Sequence, residues 1–125
     1  MGRVYEEVRE DGRGLWTMFD TGSKNTYIVR SAAETLHRQH LPESKRVGIG
    51  GRVRLFDEAC IINGYIQGKL VNVTAFVIDE LGRDDAGRPV ELLFGALAMQ
   101  QWGIRPIPDE ERIDVSHYPE EFIEY

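Results

Sequence analysis

Leu15-Trp16-Thr17-Met18-Phe19-Asp20-Thr21-Gly22-Ser23 decides the reading of this chain. A β-prone, hydrophobic run ends on a carboxylate, and that carboxylate opens a turn of Thr, Gly and Ser. Taken alone, Asp20-Thr21-Gly22 fits an ordinary turn whose aspartate bonds local N–H groups. The flanks add weight, because Thr26-Tyr27-Ile28-Val29 follows as a second β-branched and aromatic run. A carboxylate aimed from such a turn can activate water if a second carboxylate shares its proton, since like charges about 3 Å apart cannot both ionise. Asp-Thr-Gly occurs once in the sequence.

The 125 residues suffice for one domain with a modest core and are too few for two lobes. A formal net charge of −6, without a Lys/Arg stripe, argues against a nucleic-acid partner. Arg52 and Arg54 flank Val53 and are expected on a solvated strand face. Cys60 is the single cysteine, which excludes an intramolecular disulfide and suits a reducing cytoplasm. No apolar stretch approaches membrane length, and Met1 to Glu6 lacks a signal-peptide hydrophobic region, so no membrane partner is expected.

Val4, Glu6 and Val8 read as a first strand, Glu10 to Gly14 as a hairpin turn, and Leu15 to Phe19 as the strand that delivers Asp20. Ser31-Ala32-Ala33-Glu34 has the form of a capping box and predicts a helix over 31–40, ended by Leu41-Pro42-Glu43-Ser44. From Arg46 to Asp79 the pattern is strand-like. Turns are predicted at Gly48-Ile49-Gly50-Gly51, Asn63-Gly64 and Gln67-Gly68. Asn72 to Ile78 is the most apolar strand and is expected to be central. Gly82 to Pro89 reads as a polar surface loop, Val90 to Phe94 as a buried strand, and Ala96 to Trp102 as a helix closed by Gly103. Arg112 to Ser116 alternates like a half-buried strand, and the acidic end after it is expected to be disordered or to dock on a neighbour. The class is all-β with two short helices.

Three pieces stand in a familiar order: Phe19-Asp20-Thr21-Gly22-Ser23, then Val47-Gly48-Ile49-Gly50-Gly51, then Leu92-Leu93-Phe94-Gly95-Ala96-Leu97. Together they resemble the retropepsin-like aspartic proteases, the single-lobe relatives of pepsin that include the retroviral enzymes. The resemblance runs over about residues 4 to 104, so 1–104 is drawn as the protease domain and 105–125 as a C-terminal tail. It implies a closed-barrel acid-protease fold with one lobe per chain. The implied activity is that of an aspartic endopeptidase acting as a homodimer on an extended peptide or protein.

The family's roles carry over residue by residue. Asp20 of each protomer would form the catalytic dyad. Thr21 would donate its hydroxyl to the partner's backbone, Gly22 would let its N–H reach the carboxylate, and Ser23 would donate to the outer carboxylate oxygen. Gly48, Ile49, Gly50 and Gly51 would form the flap over the substrate, and Leu93 and Gly95 would pack behind the site. One departure stands out: retroviral members carry Arg after the equivalent of Gly95, and Ala96 stands there in this chain. The family dimer joins terminal strands in a shared sheet, and Arg112 to Ser116, in the longer tail, is the candidate strand for that role in this chain.

Competing chemistry is thin. His37 and His40 fall three apart on the predicted helix, where a solvated face outweighs a metal pair that lacks further ligands. His117 and Cys60 have no partner legible in sequence. No metal and no cofactor are therefore expected. The alternative function is a catalytically silent dimer of the same fold that serves as a peptide-binding or assembly module.

Overall fold

Three two-residue turns with left-handed backbone fold most of the sheet. Asp11-Gly12 (φ 49° and 82°), Gly50-Gly51 (60° and 77°) and Gln67-Gly68 (50° and 80°) have the positive φ pair that matches strand twist in type I′ hairpins. The computed structural model describes residues 3–124; positions 1, 2 and 125, at the ends of the expected domain and tail, lie outside the described residues.

The chain runs β1 (Arg3–Glu10), β2 (Arg13–Asp20), β3 (Thr26–Val29), a one-turn helix α1 (Arg30–Ala33), β4 (Arg38–Ile49), β5 (Arg52–Ile66), β6 (Lys69–Ile78) and β7 (Leu92–Phe94). Helix α2 (Ala96–Trp102), β8 (Arg105–Ile107), a 3₁₀ turn at Pro108–Glu110 and β9 (Arg112–Asp114) follow. Seven strands make one sheet in the order β1-β2-β7-β3-β6-β5-β4. β7 inserts between β2 and β3, parallel to the first and antiparallel to the second. Buried on both faces, β2 and β7 read as near-continuous apolar runs. Phe19 and Phe94 meet across them with ring centres 5.2 Å apart.

β1 also bridges to β5, at Arg9 and Tyr65, so the sheet curls back on itself. Gly64 makes this crossing possible, because a Cβ there would stand 2.7 Å from Val8 Cγ1 and 3.2 Å from the Arg9 carbonyl. The predicted turn at Asn63-Gly64 is thus not a turn: both residues are inside β5, opposite Asn72 and Val71. The expected interior place of 72–78 holds, with β6 flanked by β3 and β5.

The predicted helix over 31–40 is corrected. Only Arg30–Ala33 is helical, its N-cap is Val29, and no side chain caps it. Arg38, Gln39 and His40 instead extend opposite Cys60, Ala59 and Glu58 of β5. Tertiary pairing overrides the local capping signal. Arg30 and Arg38 both reach Glu58, at 2.7 and 3.6 Å, and hold the pairing at its base. Leu41 to Ser44 lies within β4, where the ladder shifts register between His40 and Lys45. β4 ends the strand order, with β5 as its one partner.

α2 matches its predicted limits. Gly103 (φ 63°, ψ 33°) closes it and bonds back to the Met99 carbonyl. Beyond it, β8 and β9 pair antiparallel with each other, and Ile104 and Ile113 join the core. The end of the chain docks on its own body. Tyr118 and Phe122 pack on Trp102 with ring centres 6.0 and 5.6 Å away, the Tyr118 hydroxyl donates to the Leu70 carbonyl at 2.6 Å, and Glu120 pairs with Lys69.

Candidate active site

β2 hands Asp20 to the turn, and the turn holds it. The Gly22 N–H donates to Asp20 Oδ1 at 2.8 Å, and the Ser23 N–H closes the turn on the Asp20 carbonyl at 3.1 Å. A Cβ at Gly22 would come within 3.2 Å of that carboxylate oxygen, so glycine allows the approach. Among the described residues the Ser23 hydroxyl makes no hydrogen bond to Asp20; Ser23 contributes its backbone instead. Oδ2 faces the other way and lies 3.4 Å from Arg3 Nε. The Asp20 side chain is 17% exposed, so it is half-sheltered yet reachable by water.

Behind the turn, the start of α2 pins the loop that follows Asp20. Ala96 and Leu97 donate N–H groups to the Ser23 and Lys24 carbonyls, at 2.6 and 3.1 Å, and the Gly95 N–H donates to the buried Thr26 hydroxyl at 3.0 Å. Any side chain at Gly95 would run into the Asn25 carbonyl, so this contact needs a residue without Cβ. Leu93 is buried beside it and also reaches the cleft.

The glycine hairpin at the β4–β5 tip comes over the same place. A cavity of about 420 Å³ is lined by Asp20, Gly22 and Ser23 from the turn and by Gly48, Ile49 and Gly50 from the tip. Gly51 forms the turn with Gly50 but does not line the cavity. Thr21 does not line it either: it faces a separate cavity of about 530 Å³ with Ala96, Met99 and Ile104. Arg52 and Arg54 tie the hairpin to Glu80, at 3.6 and 3.4 Å. Arg52 is solvated as expected, whereas the Arg54 side chain is only 18% exposed and its Nε is buried without a partner among the described residues.

Sequence reading missed part of the lining. Arg3, Tyr5 and Met18 come from β1 and β2, and Leu81, Gly82 and Arg83 from the loop after β6. The hairpin register could have found Arg3: a two-residue turn at Asp11-Gly12 pairs Glu10 with Arg13 and, counting back along both strands, Arg3 with Asp20. The loop after β6 was less legible because its order rests on Asp84. That carboxylate accepts the Ala86 and Arg88 N–H groups on one oxygen and the Trp16 indole N–H on the other, each at 2.9 Å. These bonds, with the Arg88 N–H foremost, hold Asp84 below the ordinary carboxylate range.

The other reactive groups do not assemble a second site. Burial pushes the Cys60 thiol up, away from the thiolate a nucleophile needs. Ser116 and His117 stand beside Asp114, but the Ser116 hydroxyl is committed to the Asp114 carboxylate at 2.9 Å. His37 and His40 are exposed and share no helix, and no cluster of three metal-ligating side chains occurs among the described residues. Among the described residues no helix is long and apolar enough to cross a membrane.

Among solved structures, the chain is similar to the retroviral protease-like domain of Ddi1 from Leishmania major. That match has a TM-score of 0.65 at 12% identity and covers 93% of this chain and 90% of that one. Simian foamy virus (mac) protease matches with a TM-score of 0.48 at 14% identity, over 84% of this chain and 99% of that one. Prototype foamy virus protease-reverse transcriptase matches with a TM-score of 0.49 at 13% identity, over 80% of this chain and 11% of that one. No family model and no curated protein matches. The fold is retropepsin-like, as the three sequence pieces imply.

Proposed function

We propose that this chain is an aspartic endopeptidase whose catalytic dyad forms from the Asp20 residues of two copies. One observation carries the reading: a single carboxylate, held by a Gly N–H at 2.8 Å, opens into a cleft roofed by a glycine hairpin on a retropepsin-like fold. In such a dyad one ionised carboxylate takes a proton from water while the protonated one polarises the scissile carbonyl. The hairpin tip, with Ile49 between glycines, suits a lid that closes on an extended peptide and excludes water. The lone, buried Cys60 fits a reducing cytoplasmic setting.

The test is digestion of an unfolded protein, from acid to neutral pH, by wild type and Asp20→Asn in parallel. Wild type is expected to cleave, and the variant to lose about a hundredfold to ten-thousandfold in kcat/KM, the usual worth of general acid–base catalysis. Equal cleavage by the purified variant would remove Asp20 from the mechanism.

A second reading, the silent peptide-binding or assembly module, is favoured by one contact. Arg3 already engages Asp20 Oδ2, an oxygen with which a second carboxylate would share its proton. Peptide binding without cleavage at any pH would select this reading.

A further inference from the structure

The cleft carries a positive charge that the fold itself does not use. Among the described residues every arginine except Arg46 and Arg83 has a carboxylate within 4.0 Å. Arg46 is exposed on β4 and is not a cleft residue, whereas Arg83 stands between the Asp20 cleft and a second cavity of about 510 Å³ that Glu80 and Glu91 also line. One guanidinium nitrogen of Arg83 donates to the Gly87 carbonyl at 2.8 Å, which fixes the side chain and leaves its other N–H donors uncommitted. Its sequence neighbour Asp84 does not neutralise it, because both Asp84 oxygens are taken by Trp16, Ala86 and Arg88.

Arg3 adds a second arginine to the same lining, with its Nε 3.4 Å from Asp20 Oδ2, so each protomer brings two arginines and one aspartate to the cleft. In a dyad sharing one proton, four arginines would line the joined cleft against a single negative charge. Beside them the lining holds the apolar side chains of Met18, Ile49, Leu81 and Leu93, together with Tyr5, Ser23 and four glycines. This local excess of positive charge stands out on a chain of net charge −6.

We propose that the cleft selects extended peptides bearing an acidic side chain beside the apolar residues that fill it, and that Arg83 is the specificity-determining residue that reads the carboxylate. Arg83 suits this role because a planar guanidinium can bind a carboxylate with two parallel N–H donors. Arg3 supports it through charge, since Asp20 already takes its Nε. The inference rests on the peptide-cleft reading above, in either its catalytic or its silent form.

The experiment uses two sets of otherwise identical extended peptides, with Glu or Gln at each position in turn. Binding is measured to full-length Asp20→Asn, and cleavage by wild type. Glu is expected to be favoured by up to about fivefold at its best position, the upper range for an ion pair near solvent. The preference is expected to shrink at high salt, to disappear in Arg83→Gln, to reverse in Arg83→Glu, and to weaken in Arg83→Lys, which keeps the charge and loses the paired donors. Equal binding of Glu and Gln peptides, or a preference that persists in Arg83→Gln, overturns the proposal. Cleavage without acid preference would overturn this inference and leave the protease reading standing. Acid-selective binding without cleavage would do the reverse. Failure to bind or cleave any peptide would overturn both.

Discussion

At the scale of single residues, two glycines carry opposite kinds of constraint. Gly22 admits a hydrogen bond to the carboxylate, and Gly95 admits a neighbouring carbonyl. Gly95→Ala is expected to lose about 1–3 kcal/mol in urea unfolding, the usual cost of overpacking, because the Asn25 carbonyl cannot yield without breaking the α2 contacts. A wild-type midpoint in that variant would show that the loop after Asp20 gives way easily. Asp20 was legible because the residues flanking it specify both a strand and its turn. Arg3 was equally encoded, through the register fixed by Asp11-Gly12. The Ser23 hydroxyl was not: residue type shows that it can donate, but only the packed turn shows that its backbone does the holding.

At the scale of elements, period-2 patterns and glycine turns placed most strands, and α2 was legible to the residue because Gly103 ends it. The helix over 31–40 failed because its local signal competes with β5, whose ladder and Glu58 claim Arg38 to His40. The loop after β6 rests on Asp84, whose depressed value fixes a sign. Its stabilisation is complete above the unfolded carboxylate value of about 3.9 and is lost as pH falls through the lower folded value. Wild type should therefore lose stability more steeply below about pH 4 than Asp84→Asn, as read by urea unfolding from pH 3 to 7. Parallel slopes would mean that the loop does not depend on this carboxylate. The hairpin has its own restraint in Glu80. Glu80→Gln is expected to speed amide exchange over residues 47–52 by up to about fivefold, in line with exposed ion pairs. Unchanged exchange would mean that the Arg52 and Arg54 pairs contribute no closure.

At the scale of the whole molecule, one carboxylate per cleft makes the proposed activity a property of two chains. Specific activity is expected to rise with protein concentration and then level off, over the range in which sedimentation velocity shows monomer becoming dimer. Full activity in a solution that is monomeric throughout would dismiss the shared dyad. The arithmetic behind this was legible in a motif that occurs once; how the chain closes on itself was not, because Gly64 under Val8 and Trp102 under Phe122 are contacts between distant segments. Chains that meet can also meet wrongly, and the shifted ladder in β4 bears on that risk. Among the described residues its outer edge is unpartnered, and such edges recruit further strands into insoluble stacks. Between His40 and Lys45 the shift breaks the regular row of N–H and C=O groups, while Pro42, Glu43, Lys45 and Arg46 set a missing donor and mixed charge along the same stretch. A broken ladder and mixed charge make the long hairpin a poor template for further strands, and the proposed pairing of two Asp20 turns needs a chain that stays dispersed as its concentration rises.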